Sequence, residues 1–291
     1  MKVIVFGVTG MLGHKLYQVL AQTHDAVGTI RGSYRSISKY GFFKPSHIVP
    51  EINARELSRV EKVIEENEPE VVINCIGVVK SLVEKEGMVS TIWLNSLFPH
   101  QLYQICKAKG IRLIHVSTDC VFSGKTGFYK EDDPSDAEDI YGKTKYLGEV
   151  TGANALTIRT SIIGRELASA NGLVEWFLSN QSSKVQGYSN AIFSGFPTLH
   201  LSRSIADIIT KHQNLEGIYH ISSEPTNKFE LLALIKKAMG LNIIIEKYPD
   251  YRIDRSLDST KYRKATGFTP PSWKKMTEEF AQDARQYAKW R

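Results

Sequence analysis

The amino-acid sequence predicts an α/β fold in which a doubly wound parallel sheet is followed by a small C-terminal α/β lobe. Three observations lead to this prediction. Short apolar strands alternate with amphipathic helices through residue 164, which is typical of a parallel sheet covered on both faces. The first strand runs directly into a glycine-rich turn and a helix, and a tyrosine and a lysine lie four residues apart near the start of a later helix.

Composition is ordinary for a globular protein, with 42% hydrophobic and 23% charged residues in a chain of 291. This length suits one large domain or two coupled ones. No apolar run approaches the ~20 residues of a membrane span, and the apolar N-terminus lacks a cleavage site, so we expect neither a membrane segment nor a signal peptide. Cys75, Cys106 and Cys120 have no metal or disulfide spacing, which favours reduced thiols and a cytoplasmic location.

The net charge of +6 is scattered along the chain rather than gathered in a basic run. It therefore indicates a solvated basic surface and no nucleic-acid partner. Some of this charge can attract phosphorylated small molecules.

The first strand, Lys2–Phe6, leads into a turn with glycines at Gly7, Gly10 and Gly13. Such glycines allow a tight turn, a close approach of the backbone to a pyrophosphate, and close packing of the helix on the strand. The helix N-terminus adds free N–H groups and a favourable dipole. His14 can approach the pyrophosphate or lie at the surface. We assign the turn to a dinucleotide cofactor through Gly7, Thr9, Gly10, Met11, Leu12 and Gly13.

The second strand, Ala26–Ile30, ends at Arg31, where an NAD-specific site usually has an acidic residue. Arg31, with Arg35 nearby, can bond a 2′-phosphate through two parallel N–H groups. The sequence therefore predicts NADP(H) as the cofactor. If these arginines are solvated loop residues instead, NAD(H) remains the alternative.

Three further strands are expected at His47–Ile52, Val71–Gly77 and Ile111–Ser117, and a sixth at Ala155–Ile163. Because ligands lie at the carboxyl ends of parallel strands, Cys75, Ile76, Gly77 and Val79 should lie along the cofactor and substrate, with Thr118 at the same edge. A long helix over 89–110 carries Asn95, which we expect to anchor neighbouring backbone.

The pattern loosens after residue 164. We expect a helix and a loop within 165–195, followed by a helix and a strand that return to the sheet. Residues 1–164, with 196–222, are assigned to the dinucleotide-binding domain, and residues 165–195 and 223–291 to a substrate-binding lobe. The remaining predicted elements are helices Gly172–Leu178, Ser202–Lys211 and Phe229–Met239, strands Gly217–Ser222 and Asn242–Glu246, and a last helix with Trp273 and Phe280.

Tyr141 and Lys145 are the candidate reactive pair. Residues at i and i+4 share one helix face, so both side chains can point into the cleft beside Thr118. An ammonium near a phenol favours the phenolate and should lower the pKa of Tyr141 from its usual ~10. The pair is therefore suited to proton transfer near neutral pH.

Five motifs in order resemble the extended short-chain dehydrogenase/reductase family, and within it the dTDP-4-dehydrorhamnose reductase group. They are Gly7-x-x-Gly-x-x-Gly13, Ser117-Thr-Asp-Cys-Val-Phe122, Tyr141-Gly-Lys-Thr-Lys-Tyr-Leu-Gly-Glu149, Arg159-Thr-Ser161 and Gly195-Phe-Pro-Thr198.

This resemblance implies a Rossmann domain and carbonyl reduction by hydride from a nicotinamide. It further implies that Thr118 orients the substrate carbonyl and that Tyr141 gives it a proton. Lys145 would bind the nicotinamide ribose and lower the pKa of Tyr141. The expected substrate is a nucleotide sugar, contacted by Val79, Thr118, Asp119, Cys120 and Ile162, with Asn190 and Arg255 near its diphosphate.

The chain also departs from the group. Ile162 stands where members that reduce the rhamnose precursor commonly carry a tryptophan, and the residues after Gly77 differ, which leaves the sugar and the nucleotide open. No metal-binding glutamates can be mapped, so no metal is predicted. The wider family pairs the helices that correspond to 89–110 and 141–152, so the resemblance implies a homodimer.

Three other functions are considered. An epimerase or epimerase-reductase could use Cys120, although no histidine partner is visible. Dehydratases carry an Asp-Glu pair after the threonine, whereas Asp119 and Cys120 follow Thr118 here, which argues against dehydration. A non-catalytic NADP-binding regulatory subunit would be expected to have lost part of the catalytic set, and the set is intact.

Overall fold

Seven parallel strands form the central sheet in the computed structural model, which describes residues 1–290. Arg291, the last residue of the predicted lobe, lies outside the described residues. The strands are β1 Lys2–Phe6, β2 Asp25–Thr29, β3 Ile48–Val49, β4 Val71–Asn74, β5 Arg112–Val116, β6 Ala155–Arg159, β7 Ile162–Ile163, β8 Lys184–Phe193, β9 Phe196–Pro197, β10 Gly217–His220, β11 Thr226–Asn227 and β12 Ile244–Asp254.

The sheet order is β3-β2-β1-β4-β5-β6-β10. The chain therefore winds outward from β1 in both directions, which is the doubly wound arrangement predicted. The helices are α1 Met11–Leu20, α2 Leu57–Asn67, α3 Val83–Glu86, α4 Met88–Ile92, α5 Phe98–Ala108, α6 Ile140–Leu147, α7 Leu173–Ser179, α8 Thr198–Lys211, α9 Lys228–Met239, α10 Thr260–Thr266 and α11 Trp273–Ala284.

Two apolar cores cover the faces of the central sheet. One contains Leu16 of α1 and Ile205 of α8, and the other contains Val63 of α2 and Leu102 of α5. All four side chains are fully buried. The strands between the cores are apolar on both faces because no face of the sheet meets solvent.

The long helix expected over 89–110 is not regular. It consists of α4, a π-helical segment at Trp93–Leu97, and α5. A π-helical turn inside an α-helix contains one extra residue, which bulges the backbone, and such turns are frequent at functional sites. Here it presents Asn95 to the loop that follows β4.

A smaller sheet of order β11-β8-β12 packs with α9 and α11 around a third core that includes Val185, Leu231 and Phe280. The expectation of a loop before residue 195 is wrong, because β8 is a strand of ten residues. Its polar, glycine-containing sequence hides the alternation, and its parallel pairing with β12 supplies the stability. The predicted division into two domains remains a prediction. No helix within residues 1–290 has the length and apolar character needed to cross a bilayer.

Candidate functional site

The candidate site is a cavity of about 700 Å³ at the carboxyl ends of β1, β4 and β5. It lies where the sheet order reverses between β1 and β4, the position at which doubly wound sheets bind ligands. Its volume is in the range of small-molecule and cofactor sites. Thirteen predicted site residues line it: Gly10, Met11, Leu12, Cys75, Ile76, Gly77, Val79, Thr118, Asp119, Cys120, Tyr141, Lys145 and Ile162.

The glycine-rich turn has the geometry that the sequence predicted. Gly7 has φ of +86°, which favours glycine. A Cβ at Gly13 would lie 2.1 Å from the Gly7 carbonyl oxygen, so only glycine lets α1 pack this closely. No side chain caps the start of α1 at Gly10, which leaves its first N–H groups free for an anion. Gly7, Thr9 and Gly13 do not line the cavity; the two glycines shape the turn.

His14 takes neither of the places expected for it. The side chain is fully buried, and its Nδ1–H donates to the Gly10 carbonyl oxygen at 2.7 Å. Its Nε2 accepts from the Tyr287 hydroxyl. Burial lowers the pKa of His14 to about 4, so the ring is neutral. Through its hydrogen bond to the Gly10 carbonyl, His14 stabilises the glycine-rich turn.

The loop after β4 is held by Asn95, as expected. Its Oδ1 accepts from the Val78 N–H at 2.7 Å, and its Nδ2 donates to the Val78 carbonyl at 3.0 Å. The same amide reaches the Thr144 hydroxyl on α6 at 3.3 Å. The N–H and the carbonyl of Val78, which lines the cavity, are therefore both fixed by one side chain.

Thr118 lies just past β5 at the edge of the cavity. Its hydroxyl donates to Asp119 Oδ1 and accepts from the Cys120 N–H, both at 3.1 Å. Burial raises the pKa of Asp119, opposed by the charge of Arg255. Burial, with the neighbouring Asp119, also raises the pKa of the Cys120 thiol to about 12, so the sulfur is protonated at neutral pH.

Helix α6 brings Tyr141 and Lys145 to the same cavity. Asp139 caps this helix by accepting from the Gly142 N–H at 2.9 Å. The Lys145 ammonium donates to the Val116 carbonyl at 2.8 Å and is buried. Burial lowers the pKa of Lys145 to about 8, partly offset by the charge of Glu149.

The expected lowering of the Tyr141 pKa is wrong in direction. Burial is the largest influence and raises the pKa, while a hydrogen bond with Thr118 lowers it less. Lys145 does not counteract burial because its ammonium is directed at the Val116 carbonyl. Tyr141 therefore holds its proton at neutral pH.

Arg31, Asn190 and Arg255 do not line the cavity. Arg31 is exposed after β2. Asn190 donates to the Pro249 carbonyl at 2.7 Å within the small sheet. The Arg255 Nε donates to the Phe122 carbonyl at 2.8 Å.

Sequence reasoning missed the polar wall formed by the segment after β7. Glu166, Ser169 and Asn171 line the cavity, and the buried Glu166 carboxylate accepts from the Asn171 N–H at 3.2 Å. Their position beyond the carboxyl end of a strand was the available signal. Within residues 1–290 no group of three or more His, Cys, Asp or Glu side chains could hold a metal ion.

The comparisons with known proteins agree with this architecture. Residues 1–286 match the model of a family described as RmlD substrate binding domain. The spore coat polysaccharide biosynthesis protein SpsK of Bacillus subtilis (strain 168) is 27% identical over 305 residues, covering 97% of this chain and 97% of that protein. The probable low-salt glycan biosynthesis reductase Agl14 of Haloferax volcanii is 32% identical over 234 residues, covering 77% of this chain and 75% of that protein.

One solved structure bears on the fold. The crystal structure of dTDP-4-dehydrorhamnose reductase from Bacillus anthracis str. Ames in complex with NADP has a TM-score of 0.77 at 21% identity. The match covers 97% of this chain and 99% of that one. It confirms the predicted doubly wound α/β fold.

Proposed function

Because the chain belongs to the family described as RmlD substrate binding domain, we propose that it reduces the 4-keto group of a nucleotide-linked deoxysugar with NADPH. The resemblance to the dTDP-4-dehydrorhamnose reductase group read from the motifs is thereby confirmed at the level of the family. The observation that carries the proposal is that Thr118, Tyr141 and Lys145 line one cavity together with the glycine-rich turn.

The residues present fit a dinucleotide. The start of α1 offers uncapped N–H groups at Met11 and Leu12, which line the cavity, and a pyrophosphate is the anion that such a turn accepts. When bound, the nicotinamide supplies a hydride. Arg31, exposed just beyond β2, would bond the 2′-phosphate of NADP(H). NAD(H) is the alternative if Arg31 makes no such contact.

Tyr141 is the proposed proton donor to the carbonyl oxygen. Its raised pKa keeps the phenol protonated at neutral pH, and a general acid must carry its proton before the reaction. Thr118 lines the same cavity as Tyr141 and would bind the same carbonyl oxygen. Two donors then face the oxygen on which negative charge develops.

Lys145 is proposed to bind the nicotinamide ribose. Its ammonium lies within the cavity wall, 2.8 Å from the Val116 carbonyl. A bound ribose could share this donor because an ammonium has three N–H bonds. The product is an alcohol, and the hydride and the proton account for the two hydrogens added.

The sugar pocket is proposed to lie between Val79, Cys120 and Ile162, all of which line the cavity. Names of relatives support a role in surface polysaccharide or glycan synthesis, since SpsK and Agl14 are named for such pathways. We further propose that the protein is cytoplasmic and forms a homodimer paired through α4 and α6, where Val89, Ile92 and Leu147 are exposed. The two-domain organisation predicted from the sequence is also proposed.

The alternatives have less support. Among residues 1–290 no histidine lines the cavity, and the Cys120 thiol is protonated, so the cysteine and histidine pair expected of an epimerase-reductase is not present there. A non-catalytic regulatory subunit does not need the intact set of Thr118, Tyr141 and Lys145.

The test is a screen of 4-keto sugar nucleotides with NADPH, read by loss of nicotinamide absorbance. Tyr141→Phe should lower kcat by about 100-fold or more while NADPH binding, followed by its fluorescence, is retained. Tyr146→Phe is the matched control, because Tyr146 lies on the same helix and is exposed. Near-normal turnover in Tyr141→Phe would rule out the proposed acid, and no turnover of any such substrate by the native protein would favour the regulatory subunit.

A further inference from the structure

A buried ion pair lies behind the cavity without lining it. The Arg159 Nε donates to Glu149 Oε1 and its Nη2 donates to Glu149 Oε2, both at 2.8 Å. Arg159 is 2% exposed and Glu149 is 9% exposed. A bidentate pair of this kind is rigid and specific in its geometry, but burial of both charges makes it weak evidence for stability alone.

The guanidinium is fixed on its other sides as well. Its Nη1 faces the Glu131 carbonyl at 3.2 Å and His220 Nε2 at 3.3 Å. The group also lies over the Phe122 ring at 5.1 Å from the centroid. Arg159 is therefore held by neighbouring segments. The Glu149 carboxylate that it binds is restricted to one orientation as a result.

The same carboxylate reaches the strand that delivers the catalytic threonine. The Ser117 hydroxyl donates to Glu149 Oε1 at 2.8 Å. Ser117 directly precedes Thr118. The Ser117 N–H donates to the Ile158 carbonyl of β6 at 2.7 Å, and the Asp119 N–H donates to the Thr160 carbonyl just after β6 at 3.0 Å. Glu149 thus connects the end of β5 to the end of β6.

Glu149 also lies four residues after Lys145, just past the end of α6. Its charge opposes the burial that lowers the pKa of Lys145 to about 8. The other titratable groups that face Lys145 are Cys75 and His115, whose Nε2 is 3.5 Å from the Lys145 ammonium, and Tyr141 lines the same cavity. Burial and the Lys145 charge hold the pKa of His115 well below its usual value, and the Cys75 thiol is protonated because burial raises its pKa to about 12. Glu149 is the one anion that faces Lys145 among the described residues.

We propose that Glu149, clamped by Arg159, is a positioning residue of the reductase site. Glu149 holds Ser117 beside Thr118 and is the carboxylate whose charge acts on Lys145. The inference rests on the proposed function only for its kinetic consequence. The electrostatic link between Glu149 and Lys145 exists whatever the substrate is.

The decisive variant is Glu149→Gln, which keeps the size of the side chain and an acceptor for Ser117 while removing the charge. The midpoint of Lys145 acetylation by acetic anhydride, followed across pH by peptide mass spectrometry, should move from near pH 8 to lower pH by about one unit. In turnover assays kcat/KM should then fall about fourfold more at pH 8 than at pH 6.5, since a one-unit shift lowers the charged fraction of Lys145 more at the higher pH.

Two controls separate this role from a merely structural one. Ser117→Ala removes the hydroxyl and leaves the Glu149 charge, so the Lys145 midpoint should stay where it is. Glu149→Asp retains a carboxylate and should restore most of the midpoint. If Glu149→Gln does not fold, because it leaves Arg159 buried and unpaired, the double variant Glu149→Gln with Arg159→Gln removes both charges. It should show a smaller downward shift, because the opposing charge of Arg159 is lost as well.

An unchanged Lys145 midpoint in folded Glu149→Gln, or in the double variant, would overturn the inference. Because the acetylation measurement needs no substrate, this failure is distinct from failure of the proposed reduction. If the midpoint moves and no 4-keto sugar nucleotide is reduced, the coupling stands and the proposed function falls.

Discussion

The substitution Gly142→Ala tests how closely α6 must pack to complete the site. Gly142 directly follows Tyr141, and its own position faces the carbonyl of Cys120. A Cβ built at Gly142 would lie 2.2 Å from that carbonyl oxygen and 2.7 Å from the Ala137 Cβ. Real Cβ atoms keep about 3.0 Å or more, so the helix must retreat by about 0.8 Å.

This displacement should cost far more activity than stability. Overpacking costs about 1–3 kcal/mol, and the higher helix propensity of alanine returns up to about 1 kcal/mol, so the fold should lose about 1 kcal/mol. A misplacement of about 1 Å between reacting groups can cost about 100-fold in rate. Tyr141 moves with the helix, away from Thr118, and kcat should fall by about this factor.

The assays are thermal unfolding and initial rates of NADPH oxidation with the substrate that the screen identifies. Gly32→Ala is the control, because a Cβ there meets only Ser36 Oγ at 3.4 Å in an exposed loop. It should leave both measurements unchanged. A Gly142→Ala protein with wild-type kcat and stability would refute the packing argument.

Three further predictions follow from the same site. Arg31→Ala should raise KM for NADPH about tenfold, because a charge-assisted hydrogen bond to phosphate is lost, while KM for NADH stays unchanged. In the control Arg35→Ala, KM for NADPH should stay at the wild-type value. Equal effects of Arg31→Ala on both cofactors would contradict this prediction. Cys75 and Cys120, with pKa values of about 12, should react with iodoacetamide at pH 8 at least about 100-fold more slowly in the native than in the unfolded protein, since thiolate is the reactive form; equal labelling by mass spectrometry would refute it. Lys145→Met should abolish reduction yet raise the free energy of unfolding at pH 7 by about 2 kcal/mol. The variant removes a charge whose burial costs about 3 kcal/mol, and it also removes a hydrogen bond that contributes about 1 kcal/mol. The pKa of Lys145 is lower in the folded than in the unfolded protein. The free energy of unfolding of the wild type should therefore increase between about pH 8 and 10.5, and that of the variant should not. Urea titrations across this pH range measure the difference.

Much of the fold could be predicted because its strands are buried on both faces and therefore apolar throughout. The strands β1, β4 and β5 start within one residue of their predicted positions. In contrast, β12 reads as a polar, charged segment and was expected only over its first residues. It is a strand of eleven residues because β8 pairs with it, and such pairing is a tertiary effect that a local pattern does not contain.

The site was predictable where chemistry requires particular residue types at fixed spacing, as with Tyr141 and Lys145. The pKa of Tyr141 was not, because its direction depends on burial and on where the Lys145 ammonium points. A sequence gives the spacing of two groups along a helix. It does not give the solvent exposure or the competing acceptor, here the Val116 carbonyl, that decides which effect wins.

Close approaches between backbone segments at glycines also help to assemble the reactive groups. A Cβ at Gly148 would lie 1.8 Å from the Asn95 carbonyl oxygen, an even closer approach than those at Gly142 and Gly13. Contacts of this kind fix the helices to within tenths of an ångström, since no side chain rotamer can absorb a change. The walls around Val79 and Ile162, on the other hand, are formed by side chains. Substitution there can therefore alter which substrate is accepted without moving Thr118 or Tyr141.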